Sequence, residues 1–555
     1  YTLQSSLTIS GALTLTNGRF NTAGYAITTS NIAHTAGCYD FGSPVSTITC
    51  TGSSGIILNT DANRSWVGRP NIITTATGNT TQTITANGSL GSLVIGGGAN
   101  TGAFTINGGI FSSITHSRTT AFTVSFGTTY PVILESWGLA GVSASVRLTV
   151  SGTVYLMARP ASGVAVNLIS TLNCYGCPIY ADTASTVTSG YGVFASAWQA
   201  PVSPKYWVGS AGDWSNTAKW STTSGGVGGT AIPWADEDVI FDANSGATAF
   251  TITTASAKMA HKDFTCTRSN ITLSTYGSHM TNHVITGNIN SLTSFDPGSY
   301  FNGITVWGGT GAKTFAGTNN FLQSGAGSLY LIGSSYTFSQ ATTVNVAVFL
   351  YNGSFNPGIY TLTLAGGLYT LSGDAKAWNN GSCTTSLYMF RNQAVFNTTA
   401  QASTANIIFN PTTGATFDLG ISTTWGGIFT LASSGGSDLY IIGINSSITN
   451  IAANNTLSRN FGFYGGVTID GTFATSIAGT LNLSLYNGSY YTNTTAVVFN
   501  GPTTMNATVY GSGAGTVTFN NTTTFNLNTA TSRTLFTSQA RFNTTPTFSF
   551  GASSS

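Results

Sequence analysis

No window of a dozen residues in this 555-residue chain carries apolar side chains at helical i, i+3, i+4 spacing free of Gly or β-branched interruption. What recurs is a short run of alternating apolar and hydroxyl-bearing residues closed by a turn former. Leu3, Leu7, Ile9, Leu13 and Leu15 alternate with Thr and Ser, with turns at Gly11 and Asn17-Gly18. The same texture reaches the C-terminus, as in GTVTFNNTTTFNLNT from Gly515. A period of two sends successive side chains to opposite faces of a strand, so the chain is predicted to be all-β.

The chain is too long for one ordinary compact core, which leaves several domains or one repeat array. Charged residues make up 6% and aromatics 12%, whereas a typical soluble domain is about a quarter charged. Abundant aromatics argue against disorder, and a surface kept soluble by hydroxyls and amides suits an extracellular or virion setting. Sandwiches and propellers carry evenly spaced sheet or blade motifs; here turns recur irregularly between Thr- and Asn-rich strands. The expected fold is an elongated right-handed parallel β-helix or β-solenoid, in two segments with short β-rich insertions. With coils of about 20 to 25 residues stacked about 4.8 Å apart, it would be a rod of roughly 100 Å. A net charge of +2 gives no reason to expect nucleic-acid binding. No apolar run approaches the roughly 18 residues of a membrane-spanning helix. The first residue is Tyr1, with no initiator Met and no signal-peptide pattern, so sequence upstream of it is expected.

One stretch departs from this texture. Residues 205–242 hold four of the ten tryptophans (Trp207, Trp214, Trp220, Trp234) and five of the fifteen acidic residues (Asp213, Asp236, Glu237, Asp238, Asp242). Pro201 and Pro204 lead into it, and Gly225, Gly226, Gly228 and Gly229 interrupt it. It reads as a head or junction, with an incomplete first solenoid unit at 1–204, the head at 205–243 and a second unit at 244–555. An internal echo supports two copies of a large unit. Asn17-Gly18-Arg19-Phe20-Asn21 recurs as Asn352-Gly353-Ser354-Phe355-Asn356, a shift of 335 residues, with Tyr25, Ile27 and Thr28 answered by Tyr360, Leu362 and Thr363.

The motif YWVG at Tyr206–Gly209, then Asp213-Trp214, Trp220, GGVGG at 225–229, Pro233 and DEDVIFD at 236–242 resembles the head of large Gly/Thr-rich repeat proteins. Such proteins are encoded by tailed phages and some bacteria as surface or appendage components. The body around Leu13 to Ile27 and the segment from Phe122 to Trp198 resemble their repeats more loosely. Ser210, Trp234 and Glu237 depart from the pattern, where Gly, a small residue and Asp are expected. The resemblance implies a virion fibre or a surface adhesin, and it brings no catalytic residues.

A polysaccharide-cleaving spike needs two carboxylates about 5 to 10 Å apart, and the dense acidic group is Asp236, Glu237, Asp238 and Asp242. Asp236, Asp238 and Asp242 could lie on one side of a strand and serve catalysis, bind calcium through hard oxygens, or cap a turn. Pairs drawn from separate coils, such as Asp296 or Asp374, stay open. From Gly471 to Ser555 there is no Asp or Glu, so that segment supplies no carboxylate of its own. His261, Cys266, His279 and His283 match no zinc-finger spacing and read as dispersed polar residues. Cys174 and Cys177 form a lone CxxC, a local disulfide or two free thiols, and Cys38 could pair with Cys50. Tyr486, Tyr490 and Tyr491 form the aromatic group best suited to stacking on sugar. The four head tryptophans are expected to pack one solenoid segment against the next. The function these features point to is adhesion in an extracellular appendage: a homo-oligomeric, trimeric phage fibre binding host surface carbohydrate. A polysaccharide-depolymerising tailspike and a bacterial surface adhesin are the alternatives.

Overall fold

The computed structural model describes most of residues 1–339 outside 140–147, 162–171, 181–193, 196–199, 275–281, 292–303 and 317–327; beyond 339 it describes chiefly strands, with 522–527 and 540–550. The chain divides into two compact units: Tyr1–Tyr336 with Phe349–Gly353 and Leu371–Ala375, and Thr337–Val348 with Ser354–Thr370 and Lys376–Ser555. The protein is all-β, a parallel β-helix, as its alternation predicts. Among the described pairings all are parallel except that of Lys205–Trp207 with Trp220–Ser221, and one short 3-10 turn, Thr217–Lys219, is present.

Parallel neighbours need a long connection between them, and a coil meets that need by making each strand's partner its counterpart one turn on. In the first unit Leu7, Ile27, Ile48, Ile72, Leu93 and Ile114 are consecutive rungs of one ladder. Each coil consumes about 20 to 25 residues, the length assumed for a solenoid coil. Ile27, Ile48, Leu93 and Ile114 are fully buried, and each such side chain contributes about 1.5–3 kcal/mol. Ile56, Ile84, Ile106 and Phe126 form a second ladder across the core. Leu148–Leu156 bends to pair with both sheets, with Phe122–Phe126 through its first half and Val132–Leu134 through its last residues.

The apolar core of this unit is continuous from Leu15 to Tyr351 and passes through Cys174, Cys177, Trp234, Ala235, Ala260, Val284 and Val306. It does not break at 204. Leu172–Tyr175 touches Lys258–His261 and Asn282–Ile285, Tyr155 donates its hydroxyl to Asn282 Oδ1 at 3.0 Å, and Ala235 N donates to Gly176 O at 2.9 Å. Cys50, Cys174, Cys177 and Cys266 are buried free thiols. The pairing of Cys38 with Cys50 therefore does not form, and the CxxC is two thiols rather than a disulfide. Cys50 faces inward as a small hydrophobe in its rung, and burial pushes its thiol up to about 12.

In the second unit one ladder runs Thr342–Val344, Leu362–Leu364, Thr384–Leu387, Asn406–Phe409, Thr424–Ala432, Ser446–Asn454 and Val467–Thr475. A second runs from Gln393–Val395 through Ala415–Ile421, Leu439–Ile444 and Arg459–Tyr464 to Leu481–Leu485, Thr503–Asn506, Thr523–Leu527 and Thr547–Phe550. Leu7 pairs with Ile27, and Thr342 pairs with Leu362, so the same offset separates one rung from the next at both echoed segments. Among the described residues no helix is long and apolar enough to cross a membrane.

Candidate binding cleft

Lys205–Trp207 lies parallel to Val239–Phe241 while Trp207 pairs antiparallel with Trp220. The head is thus an excursion of chain between two neighbouring rungs. Trp207, Trp214 and Trp220 are 0–1% exposed. Trp220 meets Trp207 edge-on at 5.1 Å and Trp214 at 4.8 Å, and donates its indole N–H to Trp214 O at 2.8 Å. With Phe241 and Phe250 these rings make a small aromatic core inside the head. Trp234 instead joins the main core. The four tryptophans therefore do not make one junction. The glycine run crosses the 3-10 turn so closely that a Cβ on Gly228 would lie 1.8 Å from Ala218 O.

The acidic tail of the head is drawn apart. Glu237, which the sequence reading did not single out as a site, is its buried centre, with a side chain 2% exposed. Its Oε1 accepts from Arg159 Nη2 at 2.7 Å and Val202 N at 2.9 Å; its Oε2 accepts from Trp234 N at 3.1 Å and lies 3.3 Å from Lys205 Nζ. Arg159 also donates from Nε to Asp236 Oδ2 at 2.6 Å. Burial lowers the Lys205 ammonium, against the opposing pull of Glu237. Asp242 closes a turn, accepting from Asn244 N at 2.9 Å. Asp238 holds Ser203 Oγ at 2.8 Å and lies 3.6 Å from Lys262 Nζ. Among the described residues no three His, Cys, Asp or Glu side chains gather as a metal-binding group, and Asp236, Asp238 and Asp242 each have separate protein partners. Glu237 had one sequence signal: a Glu where the resemblance expects Asp.

A ladder of side-chain hydrogen bonds continues from this tail. Val239, Phe264, Ile289 and Phe315 are consecutive rungs, so the residues just before them, Asp238, Asp263, Asn288 and Thr314, stack at one corner. Each oxygen takes the amide N–H of the next coil: Asp263 N to Asp238 Oδ1 at 3.3 Å, Asn288 N to Asp263 Oδ1 at 2.6 Å, and Thr314 N to Asn288 Oδ1 at 2.8 Å. Asx side chains suit this because their short oxygen reaches a neighbouring backbone amide. One residue earlier the stack reads Glu237, Lys262, Gly287 and Lys313. Gly287 has no room for a side chain, since a Cβ there would lie 2.1 Å from Asp263 Oδ1.

Beside this corner the first unit opens a cleft of about 840 Å³. Arg69 and Glu135, paired at 3.0 Å, stand on it together with Asp236, Lys262, Asp263 and Lys313, over a floor that includes Met157 and Ile332. The Lys262 side chain is 50% exposed, whereas Lys313 is 4% exposed and donates to Thr310 O. Gly309, with φ +93, and Gly311, with φ +81, lie in the strand Ile304–Ala316 that carries Lys313. These walls come from sequence on both sides of the head.

Other expected site residues lie elsewhere. Tyr490 and Tyr491 sit on Tyr490–Thr492 of the second unit, beside Val467–Thr475 and Gly511–Ser512, and Tyr486 lies outside the described residues, as do Asp296, Asp374 and His279. His261 and His283 come together as buried, edge-on rings 5.0 Å apart, while Cys266 Sγ points to Arg268 O at 3.3 Å. That arrangement is core packing. No protein family, curated protein or solved structure matches the chain. The fold and the cleft define the class on their own terms: a parallel β-solenoid with a charged cleft in its first unit.

Proposed function

We propose that this protein is a structural and adhesive component of an extracellular appendage, a phage tail fibre or spike that binds host surface glycans. One observation carries the reading. The chain has 17 Lys and Arg and 15 Asp and Glu in 555 residues, yet six of them, Arg69, Glu135, Asp236, Lys262, Asp263 and Lys313, line one cleft. Its volume falls in the range of about 300–1,000 Å³ of small-molecule sites. Carboxylates, ammonium groups and an amide set among glycines suit the dense hydroxyls of a saccharide, and a solenoid carries such a site on a rigid ladder of rungs.

The test is binding of the purified full chain to host capsule or lipopolysaccharide, followed by chromatography of the polymer. Saturable binding with polymer length unchanged supports attachment; no binding to any host polysaccharide removes it. A depolymerising spike is the second reading, favoured by the three carboxylates, Glu135, Asp236 and Asp263, on the cleft. Release of oligosaccharides that is lost in Asp236→Asn would establish it. As a fibre the protein assembles as a homotrimer, so light scattering should give three times the 57.3 kDa of the chain.

A further inference from the structure

The first ladder has an outward face that the cleft does not use. One residue beyond the inward rungs, Thr8, Thr28, Thr49, Ile73, Val94 and Thr115 stack coil upon coil, and the register passes through all of them without a shift. Thr8 is exposed and the others are half-exposed. Two residues earlier on each strand a second file reads Thr47, Asn71, Ser92 and Ser113, where Ser92 donates its hydroxyl and its amide to Asn71 Oδ1 at 3.0 and 2.9 Å. Two residues later a third reads Ser30, Thr51, Thr75 and Ser117, and the ladder still holds there: Thr51 N donates to Thr29 O and Thr75 N to Cys50 O, each at 2.9 Å. These positions carry hydroxyls and methyls, with no charge and no aromatic ring. Their spacing is fixed. Coils repeat at about 4.8 Å and alternate residues of a strand at about 6.7 Å, the β-branched side chains are restricted at χ1, and the fully buried Ile27, Ile48, Leu93 and Ile114 back the sheet from within.

We infer that this face binds ice, its hydroxyls standing in for oxygens of the lattice and its methyls filling the spaces between them. The occupant follows from size, charge and shape. Five steps of about 4.8 Å by two of about 6.7 Å cover roughly 300 Å², well below the ~800 Å² that each partner gives to a standard protein interface, so a second copy of the chain has too little to hold. Small ligands occupy concave sites, and sugars favour aromatic ring faces; this sheet face offers neither. A periodic, uncharged partner suits it. Both repeats lie close to the oxygen spacings on growing faces of hexagonal ice. The absence of charge matters because an ammonium or carboxylate keeps a hydration shell of its own, which does not fit that lattice. The inference is independent of the attachment reading and adds a second activity on another face of the first unit.

The experiment is growth of a single ice crystal in a solution of the full chain, with the freezing and melting points read separately. A freezing point held below the melting point, with facetted crystals, is the expected result, and Thr49→Lys at the centre of the face should abolish the gap. Thr105→Lys, outward on the second ladder, should leave it intact. No gap, together with ice recrystallisation no slower than in serum albumin at the same concentration, overturns the inference. A full gap in a folded Thr49→Lys overturns it as well, and so does an equal loss in Thr105→Lys, which would separate the effect from this face. Should Thr49→Lys fail to fold, Thr51→Lys at the exposed edge is expected to reduce the gap at least twofold, and an unchanged gap counts against the inference equally. Polysaccharide binding by the same variants is expected to be unchanged, so a failure here leaves the attachment reading standing.

Discussion

Glu237 shows how much one carboxylate can hold in a chain with so few charges. It is buried between Arg159 and Lys205 and also takes two backbone amides. Removing one partner of a buried ion pair leaves the other charge uncompensated, a loss of about 3–5 kcal/mol. Glu237→Ala should lower the thermal midpoint sharply. Lys205→Met should cost less, because Glu237 keeps Arg159; equal losses in the two variants would contradict this arrangement. The buried histidine pair makes stability depend on pH. Burial lowers His261 to about 4 and His283 well below its ordinary value, with the neighbouring His261 adding to the latter. Asp263 and Asp238 pull His261 the other way, and the Lys262 carbonyl lies against its Nδ1. The unfolded chain takes up these protons near pH 6.5, so between about 6.5 and 4 it binds more protons than the folded one and stability falls as pH falls. Each imidazole contributes at most about 1.4 kcal/mol per pH unit. The melting temperature should drop between pH 7 and 4.5, with a shallower slope in His261→Phe; a flat wild-type profile would sink the idea. The sequence showed these residues but not their company. Side chains close across coils are separated by whole turns of chain, as Arg159 is from Glu237.

At the scale of elements, the alternation of apolar residues with Thr and Ser was enough to read strands: Leu3, Leu7, Ile9 and Leu13 are half-buried and Leu15 buried between exposed neighbours, because a strand admits one face to the core. The corner ladder was harder to see. Asp238, Asp263 and Asn288 look like ordinary turn residues until the rungs Val239, Phe264 and Ile289 fix which of them are stacked. Asn288→Ala removes the acceptor of the Thr314 amide and should destabilise by about 1–3 kcal/mol; Asn288→Asp, which keeps an oxygen there, should cost less by chemical denaturation. Gly309 has φ +93, and a Cβ on it would meet Thr286 O at 2.7 Å. Gly309→Ala should therefore strain the strand Ile304–Ala316 and lower the thermal midpoint; an unchanged midpoint would contradict the close approach to Thr286.

For the whole molecule, the first unit contains the cleft in full. A fragment of residues 1–353 should melt cooperatively with strand-type circular dichroism; a broad, non-cooperative transition would show that the unit depends on the rest of the chain. The sequence by itself determined the all-β class and the special character of residues 205–242, because strand period, turn chemistry and aromatic density are local properties. It also pointed to the acidic tail as the place where charge gathers. Tertiary structure decided what that charge does. Coiling carried Arg159 to Glu237 and Asp236, passed one core across position 204, and set Arg69 and Glu135 facing Lys262, Asp263 and Lys313. Such proximity depends on how many coils lie between two residues and on the corner each occupies. Both are fixed by the register of the stacked rungs, which no short stretch of sequence contains.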